Sequence, residues 1–186
     1  MVKKDKITIT HISERLLSHK GFDEIGCFGC PCKDACCRFG ADIDKESYDL
    51  IWKNKAAIET LIKRPLSECF EKEWSGDPEY LGGNSIRSTV NKKGFCSFHM
   101  PDGKGCALYF LLRTKNIDRR LIPSICRLFP ITWENGNLSL YSELPEHKIP
   151  KTCNTVDPNN VTKQSIYETQ QKEIEDIFTI IPKKKK

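Results

Sequence analysis

The chain has 186 residues, 38% of them apolar and 30% charged, with a formal net charge of +5. This length suits one domain with a core of its own, and the balance of apolar and charged residues excludes an intrinsically disordered chain. The mild charge, partly carried by Lys183 to Lys186, gives no strong nucleic-acid signal, and that lysine run reads as a solvated, disordered tail over 182–186.

In chain order, Ile9, Ile12, Leu16 and Leu17 recur at helical spacing and predict an N-terminal helix within residues 1–20, capped by Thr8 or Thr10 and ended by Gly21. Residues 21–40 hold five cysteines among Gly26, Gly29 and Pro31, a composition that forbids regular structure and suits a loop folded around ligands. From Asp44 to Arg64, apolar positions at Tyr48, Ile51, Trp52, Ile58, Leu61 and Ile62 predict one long amphipathic helix, with Asp44 or Ser47 as cap and Pro65 beyond its end. A short helix over 66–74 would place Cys69 between Leu66 and Phe70 as a packed core thiol rather than a ligand.

Residues 75–84 are loop by composition; 86–90 and 94–100 read as short strands, and 106–115 as a helix. Residues 131–144 carry the strongest hairpin signal, two strands flanking the turn at Asn135-Gly136 with Leu138 and Leu140 alternating. Ile166, Ile174, Ile177 and Phe178 predict a C-terminal helix within 161–181, before Pro182. The expected fold is a single small α+β domain, residues 21–160 forming a cysteine-cluster region with the C-terminal helix packed on it. No run reaches the eighteen apolar residues of a membrane span, and the N-terminus lacks a signal-peptide apolar stretch, so a cytoplasmic location is expected.

Ten cysteines in such a chain read as metal ligands or redox thiols, because a reducing compartment does not keep disulfides. Cys27, Cys30, Cys32, Cys36 and Cys37 can supply several sulfurs from one loop, as a thiolate site requires. Neighbouring side chains such as those of Cys36 and Cys37 diverge in a strand and do not share a helical face. They bind one metal only if the backbone turns sharply, and otherwise serve two metals or two corners of a cluster. Cys96, Cys106, Cys126 and Cys153 lie where irregular chain meets an element end, and Arg127 beside Cys126 is expected to lower that thiol's pKa. His99, three residues after Cys96, reaches the same metal only through a turn; His11, His19 and His147 read as surface or capping residues, and no histidine is named as a ligand.

The segment Cys32-Lys33-Asp34-Ala35-Cys36-Cys37-Arg38-Phe39-Gly40, the later Gly94-Phe95-Cys96 and Gly105-Cys106-Ala107-Leu108-Tyr109, and Cys126-Arg127-Leu128-Phe129-Pro130 resemble the YkgJ-type cysteine-cluster proteins, the zinc- or iron-chelating domain family. The resemblance runs from Cys27 to Cys153. It implies a metal centre of eight cysteines, matched by Cys27, Cys32, Cys36, Cys37, Cys96, Cys106, Cys126 and Cys153, with Cys30 as a departure that could replace Cys27 and Cys69 unmatched. The implied cofactor is an iron-sulfur cluster or zinc, in a structural or electron-carrying role, with a redox or protein partner of unknown identity. A second reading is a cluster-dependent oxidoreductase or protein-modifying enzyme, such as a lysine methylase; no nucleotide-binding glycine loop or catalytic triad motif supports it.

Overall fold

A computed structural model describes residues 7–21, 34–77, 80, 83–102, 105–143 and 163–181. The elements in order are β1 (Ile7–Ile9), β2 (His11–Ile12), α1 (Glu14–Ser18), β3 (Asp42–Asp44), α2 (Lys45–Lys53), α3 (Lys55–Ile62), β4 (Phe70–Trp74), β5 (Ser85–Ser88), α4 (Ala107–Thr114), α5 (Ser124–Leu128), β6 (Ile131–Glu134), β7 (Asn137–Leu140), α6 (Ile166–Ile177) and β8 (Phe178–Ile180), with short 3-10 turns between some of them. Mixed helix and strand content is therefore present, as expected. The chain divides into two compact units, one formed by Cys36–Arg127 and the other by Met1–Ala35 with Leu128–Lys186.

In the unit of residues 36–127, β3 and β4 pair antiparallel with the two sides of β5, in the order β3-β5-β4. Ile43, Ile51, Ile58, Ile62, Leu66, Ile86, Phe98, Leu108, Leu111, Leu121 and Ile122 form its buried core. Rings pack on it edge to face: Tyr48 lies 4.9 Å from Phe70 and 5.1 Å from Trp74, and Phe70 lies 5.6 Å from Phe98, the offset geometry that aromatic quadrupoles favour.

Asp44 caps α2, as its position predicts, accepting from Ser47 N at 3.0 Å. Its carboxylate also accepts from Ser47 Oγ at 3.1 Å and Ser124 N at 3.0 Å, so one buried side chain ties the start of α2 to the start of α5. The single helix expected over 44–64 is two. At Asn54 the side-chain Nδ2 donates to Leu50 O at 2.8 Å and the backbone leaves the helical region (φ −104°, ψ 18°), the competition with the backbone that short amide side chains introduce. Left-handed Lys63 (φ 54°) then ends α3.

The helix expected over 66–74 is a 3-10 turn at Leu66–Glu68 followed by β4. Phe70 and Trp74, four residues apart, share a face in a strand as well as in a helix, and pairing with β5 decides between them. The second strand expected, over 94–100, is replaced by turns and the isolated bridge of Val90 with Cys96, whereas the helix expected from Cys106 is present as α4.

In the other unit the first part of the helix expected at the N-terminus is strand. β1 pairs in parallel with β8, and β2 pairs in parallel with β7, so distant partners override the local periodicity. Only Glu14–Ser18 is helical, capped by Ser13 rather than Thr8 or Thr10. The hairpin stands as expected: β6 and β7 pair antiparallel from Ile131 with Leu140 to Glu134 with Asn137, and Asn135 and Gly136 take the two positive φ values (50° and 74°) that such a tight turn needs. α6 begins at a capping box of Ser165 and Glu168 and stops at Ile177, and Phe178–Ile180, inside the expected helix, form β8. Ile9, Leu16, Leu128, Ile131, Leu138, Leu140, Ile166, Ile174, Ile177 and Phe178 are buried, with Trp133 packed edge to face on Phe178 at 5.2 Å. No described helix is long and apolar enough to cross a membrane.

Candidate metal centre

Of the nine candidate ligands, Cys36, Cys37, Cys96, Cys106 and Cys126 are described, all within the unit of residues 36–127. Cys27, Cys30, Cys32 and Cys153, like His147, lie outside the described residues.

The path to Cys36 and Cys37 begins at Asp34 in the left-handed region (φ 56°), and the 3-10 turn Ala35–Phe39 carries both cysteines. A 3-10 turn winds more tightly than an α-helix. Its effect is that the two adjacent sulfurs converge instead of diverging: Cys36 Sγ and Cys37 Sγ lie 3.9 Å apart, both partly buried. The backbone then joins this turn to Cys96, whose N–H donates to Cys37 O at 2.6 Å.

Cys96 is buried, and its sulfur has a polar shell. Ser88 Oγ stands 3.3 Å from Cys96 Sγ, and the backbone of Phe98 also hydrogen-bonds the sulfur. The bridge between His99 and Cys106 brings Cys106 back beside this segment, where it forms the N-cap of α4. Cys126 lies within α5, its N–H bonded to Pro123 O at 2.9 Å. Cys37, Cys106 and Cys126 pack, partly buried, against the same core that buries Cys96 and Cys69.

The electrostatics report the same convergence. Burial pushes the Cys126 thiol well above its ordinary value, and Cys96, Cys106, Cys36 and Asp42 push it further, since each disfavours a new negative charge beside it. For Cys37 a hydrogen bond from Cys36 acts downward, but burial together with Cys106, Cys126 and Cys96 leaves the thiol raised. Burial likewise raises Cys96, against the hydrogen bonds of Ser88 and Phe98 and the charge of Arg87. The expectation that Arg127 lowers Cys126 is therefore overturned: the buried Arg127 directs Nε to Ile122 O at 3.1 Å, and burial of the thiol dominates.

Cys69 is fully buried, its sulfur 3.5 Å from Pro65 O, as expected of a core thiol. The His99 ring stacks on Phe95 at 4.3 Å, and the Arg38 guanidinium covers Phe95 at 4.6 Å. Among the described residues no three His, Cys, Asp or Glu side chains are arranged to hold a metal ion. What the described cysteines provide is a close pair, Cys36 and Cys37, with three further thiols in electrostatic range.

Sequence reading missed Ser88, a small polar residue in a strand whose partner sulfur lies eight positions along the chain. A trace of it lay in Gly40. That residue takes φ 74°, and a Cβ on it would stand 2.7 Å from Ser88 O, so a glycine there marks a close approach of two chains. Comparison of the chain with protein-family models, with curated proteins and with solved structures found no match.

Proposed function

We propose that this is a metal-binding protein whose cysteine cluster chelates zinc or iron, the iron as an iron-sulfur centre, in a structural or electron-carrying role. The observation that carries the reading is the separation of 3.9 Å between Cys36 Sγ and Cys37 Sγ. Two thiolates at about 2.3 Å from one tetrahedral ion stand about 3.8 Å apart, so the pair has the spacing of two ligands on a single metal. A [2Fe–2S] centre, in which each iron takes two cysteines, fits that spacing as a zinc ion does. Cys96, Cys106 and Cys126 are the further candidates, because their charges act on Cys37 or on one another across the same partly buried region. Cys27, Cys30, Cys32 and Cys153 are candidates on sequence and on the YkgJ-type resemblance alone.

The raised thiols give this reading its chemistry. Several thiolates cannot ionise together in a partly buried site without a cation, so the metal-free site holds protons, and a divalent ion displaces them. The deciding experiment is anaerobic purification followed by metal and acid-labile sulfide analysis and a visible spectrum. Zinc without colour or sulfide selects the zinc form; iron with matching sulfide and a visible absorption selects the cluster. Protein that is folded, carries neither metal, and keeps its stability when Cys36, Cys37 and Cys126 are each changed to Ser overturns the reading.

A further inference from the structure

Ser88 sits in β5 with its hydroxyl buried, and its two contacts fix what that hydroxyl can do. Ala41 N donates to Ser88 Oγ at 2.8 Å, and Cys96 Sγ lies 3.3 Å from the same oxygen. A serine hydroxyl has one proton to give. With the Ala41 amide bonded to one of its lone pairs, that proton is free to point at the sulfur.

A thiolate has no proton, so if Cys96 ligates a metal, the Ser88–Cys96 bond can run in one direction only, from O–H to S. The Phe98 backbone supplies a second hydrogen bond to the same sulfur. The approach of Ala41 is itself built: Gly40 at φ 74° lets the chain pass where a Cβ would meet Ser88 O at 2.7 Å and Ser88 Oγ at 3.1 Å. Gly40, Ala41 and Ser88 thus form a relay of backbone shape, amide and hydroxyl that ends on Cys96.

We propose that Ser88, oriented by the Ala41 amide, is a positioning residue that donates its hydroxyl proton to the Cys96 sulfur and so holds that sulfur as a metal-bound thiolate. This rests on the metal-binding reading above and adds to it a specific outer partner for one ligand. Hydrogen bonds from outer partners fix the orientation of a ligand and stabilise its charged form, and their loss typically weakens metal binding tenfold to a hundredfold.

The test uses the full chain, purified anaerobically with its metal, as wild type, Ser88→Ala, Ser88→Thr and Gly40→Ala. Metal retention is titrated against increasing chelator, and thermal unfolding of the metal-free proteins is recorded alongside. Ser88→Ala is expected to release metal at about tenfold lower chelator concentration. Ser88→Thr, which keeps the hydroxyl, is expected to stay close to wild type, and Gly40→Ala to fall with Ser88→Ala because the orienting amide is displaced. Ser88→Ala retaining metal as wild type does overturns the proposal while leaving the metal-binding reading intact. A loss that follows the unfolding temperature of the metal-free variants equally in Ser88→Ala and Ser88→Thr also overturns it, since the effect is then structural. Wild-type protein without metal overturns both.

Discussion

Both units bury aliphatic side chains and aromatic pairs, but in residues 36–127 thiols join the core, whereas the described part of the other unit, a hairpin, two parallel strand pairs and α6, has no cysteine among its described residues. In the first unit Cys69 and Cys96 belong to the core itself, with Cys37, Cys106 and Cys126 packed against it. Burying a thiol contributes as a small apolar group does, but it also raises the free energy of the thiolate that a metal needs. The contrast is between a core whose side chains have no second state and a core whose thiols have two, protonated and ionised, the second being the one that the proposed function requires.

The strongest way to sharpen this contrast sets an aliphatic truncation against a thiol substitution. Leu138→Ala, at a fully buried position of β7, is expected to cost about 2–5 kcal/mol in denaturant unfolding whether or not metal is present. Cys126→Ser is expected to destabilise the metal-loaded protein far more than the metal-free one. Equal destabilisation by Cys126→Ser in both forms breaks the contrast.

Next is Asp44, the buried carboxylate that serves Ser47 N, Ser47 Oγ and Ser124 N. Asp44→Ala removes a helix cap and strands buried donors, at a cost of about 3 kcal/mol, and Asp44→Asn should recover part of it. Urea titration of the metal-free variants measures both. A loss below about 1 kcal/mol for Asp44→Ala would show that the joint between α2 and α5 is held by other contacts.

The third concerns pH. Burial is the main cause that pushes the Cys69 thiol up to about 11, partly opposed by Arg64, from an ordinary value near 9.0. Below pH 9 the thiol is protonated in both the folded and the unfolded chain, and its contribution is fully present. Above it the unfolded chain loses the proton first, so stability falls as pH rises, by roughly 2–3 kcal/mol in all at pH above 11. Unfolding of metal-free wild type and Cys69→Ala at pH 8.5 and 11 isolates the effect: the alanine variant should show the shallower loss. Parallel pH profiles for the two proteins would remove Cys69 as a cause.

The smallest expected effect belongs to the unit that contains α6. Ser165→Ala dismantles the capping box, in which Glu168 N donates to Ser165 Oγ at 3.2 Å and Ser165 N to Glu168 Oε2 at 2.7 Å, and is expected to cost about 1 kcal/mol. The same interaction, at an exposed helix end, holds the Glu168 carboxyl below its ordinary value. Unchanged stability on Ser165→Ala would mean that α6 is held by burial of Ile166, Ile174 and Ile177 alone.

Elements whose signal is local were legible in the sequence. The Asn135-Gly136 turn needs two positive φ values that few residue pairs supply, Asp44 is a strong cap, and the α4 segment is a dense apolar run from Ala107 to Leu112 with no glycine or proline. Residues 66–74 misled because spacing by four suits a helix and one face of a strand equally, and the N-terminal segment because strand pairing overrode a helical spacing; the deciding partners, β5, β8 and β7, lie outside those segments. At the candidate centre the sequence named the cysteines and set Cys69 apart as core. Only the fold turned Cys36 and Cys37 toward each other and gave Cys96 its serine.

The sequence by itself determined the chemistry on offer, ten thiols, together with the Asn135-Gly136 turn and the Asp44 cap, because these reside in single residues and their immediate neighbours. The tertiary structure decided which thiols share a core, in which direction Arg127 points and which strands close each sheet. Those outcomes depend on burial and on pairing between residues far apart in the chain, and burial, not the adjacent arginine, sets the protonation of Cys126.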